Sequence, residues 1–159
     1  MPKAIIIYDT FTGNTEAMAK AIAEGISKVD NVEVELYKLG TRFPMSTLND
    51  ADAIILGSPT EYGNVTSAMR TFLESMNELR AAKKLNLRKK VGGVFGSYTW
   101  DGGWVVDMLG LGLKRLGLKV IPPIVSAPAF IDMGKESGEP HLQKCRELGR
   151  TVATAIARS

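Results

Sequence analysis

A run of hydroxyl and amide side chains stands near the start of the chain, between an apolar segment and an amphipathic one. It consists of Thr10, Phe11, Thr12, Gly13, Asn14 and Thr15. The first turn of a helix has free N–H groups and a partial positive charge, so it can bind phosphate without lysine or arginine. The hydroxyls and the amide add donors, and the glycine allows close backbone approach. The run predicts a phosphate site; the alternative is that Thr12 or Asn14 only caps the helix.

The phosphate-binding motifs that this run lacks restrict the kind of ligand that it could bind. It has no Gly-Lys-Ser/Thr ending, which excludes a nucleoside-triphosphatase phosphate loop. It has no Gly-x-Gly-x-x-Gly pattern, which argues against a dinucleotide site. The predicted ligand group is therefore a terminal monophosphate.

Two further segments place aromatic residues among glycines. One contains Pro59, Thr60, Glu61, Tyr62, Gly63 and Asn64, and the other contains Ser97, Tyr98, Thr99, Trp100, Asp101, Gly102 and Gly103. Flat side chains on two sides of a cleft suit a planar ring system held by stacking. Packing of these aromatic residues against neighbouring loops is the alternative.

Elements that would position these segments alternate regularly along the chain. Predicted strands cover residues 4–8, 32–39, 53–57, 91–97 and 118–126, the last interrupted or ended by Pro122-Pro123. Predicted helices cover residues 15–29, 69–79 and 102–116, and a last one begins at Pro140. On the third helix we expect Val105, Met108, Leu109, Leu113 and Leu116 to point inward.

This alternation predicts an α/β fold, a three-layer, doubly wound sandwich around a five-stranded parallel sheet. We expect one domain over residues 1–159. In such sheets ligands bind beyond the carboxyl ends of the strands. The three segments above follow predicted strands 1, 3 and 4, so all of them belong to that edge.

The first run resembles the phosphate loop of flavodoxins, T/S-x-T-G-N-T/S. Residues 58–64 resemble flavodoxin-like NAD(P)H:quinone oxidoreductases, and residues 96–103 are similar to the flavodoxin domain of flavodiiron proteins. The resemblance implies strand order 2-1-3-4-5 and FMN as cofactor. It also implies that Tyr62 and Trp100 flank the isoalloxazine ring, that Thr60 and Gly63 lie along its polar edge, and that backbone from Ser97 to Gly103 faces its pyrimidine end.

The resemblance further implies an FMN-binding electron carrier that passes electrons one at a time between redox proteins. The alternative is an FMN-dependent NAD(P)H:quinone oxidoreductase, so whether the protein is an enzyme stays open. We assign no catalytic residue of the chain itself and no metal. A phosphoacceptor signalling domain is rejected, because Gly57-Ser58-Pro59 and Ser126-Ala127-Pro128 lack the aspartate and lysine it requires.

Composition restricts the setting and the partners. The single cysteine, Cys145, cannot form an internal disulfide, and no segment resembles a signal peptide or membrane span, so we expect a cytoplasmic protein.

The net charge of +3 comes from one local run between residues 80 and 90, and without it acidic residues outnumber basic ones. The run Lys83–Lys90 is either a solvated connection or a docking patch for an acidic protein partner. It lacks interleaved aromatic residues, which argues against nucleic-acid binding. The oligomeric state, monomer or homo-oligomer, stays open.

Overall fold

The structure, a computed structural model, describes residues 1–99 and 103–158. Its strands are β1 Lys3–Tyr8, β2 Glu33–Lys38, β3 Ala53–Pro59, β4 Val91–Tyr98, β5 Lys119–Val120 and β6 Val125–Pro128. Its α-helices are α1 Asn14–Ser27, α2 Ser67–Ala81, α3 Val105–Arg115 and α4 Glu139–Ala157. Short 3₁₀ helices occupy Met45–Asp50 and Glu136–Gly138.

All strand pairs of the sheet are parallel, and the order is β2-β1-β3-β4-β5, with β6 also paired to β4. The predicted fold and strand order are thereby confirmed. The predicted fifth strand is divided into β5 and β6, which pair with opposite ends of β4. The proline pair at 122–123 stands between them, and proline has no N–H to donate to a ladder.

Two apolar cores lie on opposite faces of the sheet. Side chains alternate along β1, so Ala4 and Ile6 belong to the core under α1 and α4, and Ile5 and Ile7 to the core under α2 and α3. The inward face predicted for α3 is correct except at Met108, which is 41% exposed. Met108 was predicted to point inward, but it lies at the edge of the buried face of α3, and the helix turns that edge toward solvent.

Helices α1 and α4 approach each other closely at two glycines. A Cβ at Gly25 would lie 2.0 Å from the carbonyl oxygen of Arg146, and one at Gly149 would lie 2.1 Å from that of Ile22. No side chain fits in either place. This contact fixes α1, and with it the helix N-terminus that follows β1.

The carboxyl ends of the central strands lie side by side. Tyr8 pairs with Gly57, Pro59 with Ser97, and Tyr98 with Pro128. The loops after β1, β3, β4 and β6 therefore leave the sheet at one edge. Within the described ranges, no helix is long and apolar enough to cross a membrane.

Candidate functional site

The loop between β1 and α1 is shaped by its own side chains. The Thr10 N–H donates to Asp9 Oδ1 at 2.9 Å, and the Gly13 N–H donates to Thr10 Oγ1 at 3.1 Å. Gly13, with φ of 95°, is the N-cap residue, and among the described residues no side chain caps α1. The left-handed backbone favours glycine here, and its Cβ position faces open space. The alternative that Thr12 or Asn14 caps this helix is therefore wrong, and the first-turn N–H groups remain available to a ligand.

Ser97, at the end of β4, joins the first loop to the second. Its hydroxyl is 3.1 Å from Thr15 Oγ1, and its carbonyl oxygen accepts from Thr60 Oγ1 at 2.8 Å. Ser97 and Thr15 are almost completely buried. The hydroxyls of Thr15 and Thr60 are thus partly used in holding the loops together.

The second loop forms a tight turn that presents an aromatic ring. Glu61 and Asn64 exchange backbone hydrogen bonds of 2.8 and 3.0 Å, and Tyr62 and Gly63 between them have φ of 50° and 78°. Positive φ at both central residues is the geometry of a type I′ turn. Tyr62 at its tip is 97% exposed. Glu61 Oε1 accepts from the Ser67 N–H at 3.0 Å, which anchors the turn to the start of α2.

The third loop is described at Thr99 and again from Gly103. Trp100, Asp101 and Gly102, of which Trp100 and Gly102 are predicted cofactor contacts, lie outside the described residues. Gly103 has φ of 84°, and a Cβ there would come within 2.5 Å of Ser126 Oγ. The returning chain therefore packs closely against β6.

A fourth loop, after β6, belongs to the same edge and was missed from the sequence. Asn14 Nδ2 donates to the carbonyl oxygens of Ala129 at 2.7 Å and Ile131 at 3.0 Å, and Asn14 Oδ1 accepts from the Met133 N–H at 3.4 Å. The amide predicted to contact phosphate is thus engaged with this loop. Phe130 at its tip is 76% exposed. The signal available in the sequence was that a fifth parallel strand must end at the same edge.

The loops enclose a cleft of about 90 Å³. Its walls are Phe11, Thr12, Pro59, Thr60, Ser97, Tyr98, Thr99 and Ala129. All of these except Ala129 were predicted from the sequence as site residues. Glu61, Tyr62, Gly63 and Asn64 lie in the adjoining turn rather than in the walls, and Phe11 is 60% exposed at the rim.

Charges near the cleft are acidic. The first and second loops carry Asp9 and Glu61, and residues 9–13 and 60–66 include no lysine or arginine. Behind them the Tyr8 hydroxyl donates to Glu16 Oε2 at 2.8 Å. Burial and this hydrogen bond raise the pKa of Tyr8 to about 12, so the phenol stays protonated at neutral pH. A phosphate here would be bound by N–H and O–H donors rather than by cationic side chains.

Comparisons with known proteins agree with this fold. A family model described as Flavodoxin matches residues 6–147. A nitric oxide reductase of Moorella thermoacetica is 32% identical over 98% of this chain, which spans about a third of that protein, 36%. A flavodoxin from the domain Archaea is 31% identical with a TM-score of 0.81, over 98% of this chain and 99% of the other. The Flv1 flavodiiron core of Synechocystis is 25% identical with a TM-score of 0.79, over 99% of this chain and 36% of that one.

Proposed function

The chain belongs to the flavodoxin family, whose members bind FMN, and from this premise we propose that it is an electron carrier with FMN at the cleft described above. The carrier would exchange electrons singly with redox proteins. The observation that carries this proposal is the N-terminus of α1, which no side chain of the described residues caps and which lies beside the cleft. The hydroxyls of Thr15 and Thr60 hold the surrounding loops to Ser97 of β4.

The first loop fits a terminal phosphate. Space is open at Gly13, the Thr10 hydroxyl accepts from Gly13 and so keeps its own proton to donate, and Thr12 is exposed. Thr10, Thr12 and the first-turn N–H groups are the proposed phosphate donors, with Thr15 contributing through its shared hydroxyl. Asn14 acts by holding the fourth loop in place, because its amide already has three partners.

The second and third loops fit a planar ring. Tyr62 and Trp100 are the proposed stacking residues, and Tyr62 is free to stack because almost none of its surface is covered. Pro59, Thr60, Gly63 and Asn64 are proposed to lie along the polar edge of the ring. Ser97, Tyr98, Thr99, Gly102 and Gly103 are proposed to face its pyrimidine end, with Phe11 at the rim.

FMN supplies the electron chemistry when bound, and the chain sets the conditions for it. The apolar wall of the cleft and the carboxylates of Asp9 and Glu61 disfavour additional negative charge nearby. Roughly 1.4 kcal/mol of such differential stabilisation shifts a one-electron potential by about 60 mV. A few contributions of that size are enough to separate the two electron steps.

Redox proteins are the proposed partners, and a basic surface away from the cleft is the proposed docking site for one of them. This basic surface consists of Arg80, Lys83, Lys84, Arg88 and Lys89, all exposed. Lys90 does not belong to it, because its ammonium group donates to the carbonyl oxygens of Asn49 and Ala51. Burial lowers the pKa of Lys90 accordingly. An acidic partner segment is the proposed occupant.

The basic surface and the cleft lie at opposite ends of β4. The surface precedes Val91 and the cleft follows Tyr98, so they are separated by about 26 Å along the strand. A partner bound at the basic surface therefore leaves the cleft open. We also propose a single domain in a reducing, cytoplasmic setting, which the lone free Cys145 supports.

Stepwise reduction of the purified, FMN-loaded protein tests the carrier function. We expect two separate one-electron potentials and very slow reduction of a quinone by NADH or NADPH. Rapid NAD(P)H-dependent quinone turnover would contradict the carrier and favour an oxidoreductase. A matched sample with free FMN measures the background rate of the flavin alone.

A further inference from the structure

Helix α3 and its N-cap residue, Trp104, carry apolar side chains on the solvent side as well as on the buried side. Trp104, Met108 and Leu111 are 58%, 41% and 59% exposed, and they follow one another at intervals of four and three residues. Arg115, also exposed, continues the series after four more. This spacing places all four on one side of the helix. We call this set the α3 stripe; Leu109 and Leu113 on the opposite side fill the core.

We propose that the α3 stripe binds the α3 stripe of a second copy of this chain, with the two helices antiparallel. The stripe is symmetric about the point between residues 109 and 110. In an antiparallel pair centred there, Met108 lies opposite Leu111, and Trp104 lies opposite Arg115. The two central pairs, Met108 with Leu111, are then apolar. Each outer pair places the Arg115 guanidinium on the face of the Trp104 indole, a favourable cation–π contact.

Flanking charges complement each other in the same arrangement. Asp107 and Lys114 are exposed and border the stripe along one side of α3. In the centred antiparallel pair, Asp107 of one copy lies beside Lys114 of the other, and the reverse pair forms as well. Neither residue has an ion pair within its own chain in the part that the structure describes.

A parallel pairing is disfavoured by the same residues. Parallel helices in register bring identical positions together, so Arg115 would meet Arg115. The antiparallel pair is two-fold symmetric, with the same patch on both partners, which is the usual form of a homodimer. The sequence of charges and apolar residues along α3 therefore selects a second copy, antiparallel, as the occupant.

The expected dimer is weak. Helix α3 has 11 residues, about 16 Å, and the stripe alone buries less than the ~1,200 Å² typical of stable interfaces. The association is thus expected to be reversible and to depend on protein concentration. It does not depend on the proposed function, because no wall residue of the cleft belongs to the stripe.

Sedimentation velocity over a micromolar to millimolar concentration series tests this proposal. We expect a monomer–dimer equilibrium that Asp107→Lys or Lys114→Asp each weakens by about tenfold, because two symmetric ion pairs become repulsive. The double variant Asp107→Lys/Lys114→Asp restores the pairs with exchanged signs, so it should recover the dimer. Glu78→Lys, an exposed site on α2 with the same charge change as Asp107→Lys, is the control and should leave the equilibrium unchanged.

Circular dichroism of each variant separates loss of pairing from loss of folding. A wild-type protein that stays monomeric throughout the series would overturn the proposal. A dimer that both single reversals leave intact, or that the double variant fails to recover while folded, would overturn it equally, since the interface would then lie elsewhere.

Discussion

Ser97 shows how much of the site depends on one buried hydroxyl group. Its side chain and its carbonyl oxygen connect to threonines from two different loops, and the residue is 2% exposed. Ser97 was predicted as a cofactor contact because residues 96–103 resemble the flavodoxin domain of flavodiiron proteins. Its role as the junction of two loops could not be predicted, since that depends on the register between β3 and β4.

Packing within the fold does not explain the exposed position of the Tyr62 ring. Replacing Tyr62 with alanine should leave the free energy of unfolding nearly unchanged, because its side chain contacts little of the protein. It should weaken FMN binding about tenfold if the ring stacks on the flavin. Fluorescence titration of the apoprotein with FMN measures the effect.

Tyr62→Phe is the matched control, since it keeps the ring and removes the hydroxyl group. We expect it to bind FMN about as tightly as the wild type. Equal affinities for Tyr62→Ala and the wild type would show that Tyr62 does not contact the ring.

The buried thiol of Cys145 should make the free energy of unfolding fall at alkaline pH. Burial in the core raises the pKa of this thiol from 9.0 to about 12. The folded state therefore retains the proton more strongly than the unfolded state, so this contribution is complete below pH 9 and is lost as the pH rises toward 12. Urea unfolding at several pH values should show stability falling through that range.

Cys145→Ala provides the comparison for the pH series. Its stability at neutral pH is lower because a buried group is removed, but its decline above pH 9 should be shallower. A parallel decline in both proteins would show that Cys145 is not responsible, leaving groups such as Tyr8, whose pKa is also raised to about 12.

At the scale of elements, the predictable features are those set by local pattern. Continuous apolar runs predicted the buried strands β1 and β3, and apolar spacing predicted the helices α1 and α4. The edge at which the fourth loop lies follows from a parallel fifth strand, but its contact with Asn14 was not predictable, because the two are more than a hundred positions apart in the chain. The local pattern also could not tell that Met108 faces solvent, since no element in the described part of the chain covers that side of α3.

Asn14 ties the first and fourth loops together, so its removal should loosen a specific segment. Asn14→Ala should lower the free energy of unfolding by about 1–3 kcal/mol, because two backbone carbonyls and one N–H lose their partner. Hydrogen exchange in residues 129–133 should become faster than in the wild type.

Asn77→Ala is the control for the same side-chain change. Asn77 bonds only within α2, to the Leu73 carbonyl at 3.1 Å, and it is exposed. It should change stability little and leave residues 129–133 as protected as before. Unchanged protection there in Asn14→Ala would contradict the assigned role of the amide.

At the scale of the whole molecule, charge is distributed unevenly between the two ends of the sheet. The basic surface lies before β4, and Lys114, Arg115 and Lys119, at the end of α3 and the start of β5, are further exposed cations. The loops at the opposite end carry Asp9 and Glu61. An acidic partner is therefore attracted to the end of the sheet that carries the basic surface.

Poly-glutamate is a probe of this attraction that needs no knowledge of the natural partner. Lys83→Glu/Lys84→Glu should weaken its binding several-fold, and added salt should weaken binding to the wild type, because exposed charges are screened. Lys144→Glu, an exposed change on α4, should have a much smaller effect. Fluorescence anisotropy of labelled poly-glutamate measures both; binding independent of salt would contradict the electrostatic origin.

We propose that the donors of residues 10–15 bind the phosphate of FMN, and a comparison of FMN with riboflavin, which lacks the phosphate, tests this proposal. Titration of the apoprotein should give an affinity for FMN at least a hundredfold greater than for riboflavin, since charge-assisted hydrogen bonds contribute about 1.5–3 kcal/mol each. Thr12→Ala should reduce FMN affinity about tenfold and leave riboflavin affinity unchanged, whereas Thr71→Ala on α2 should alter neither. Equal affinity for FMN and riboflavin, or no binding of either, would contradict the account.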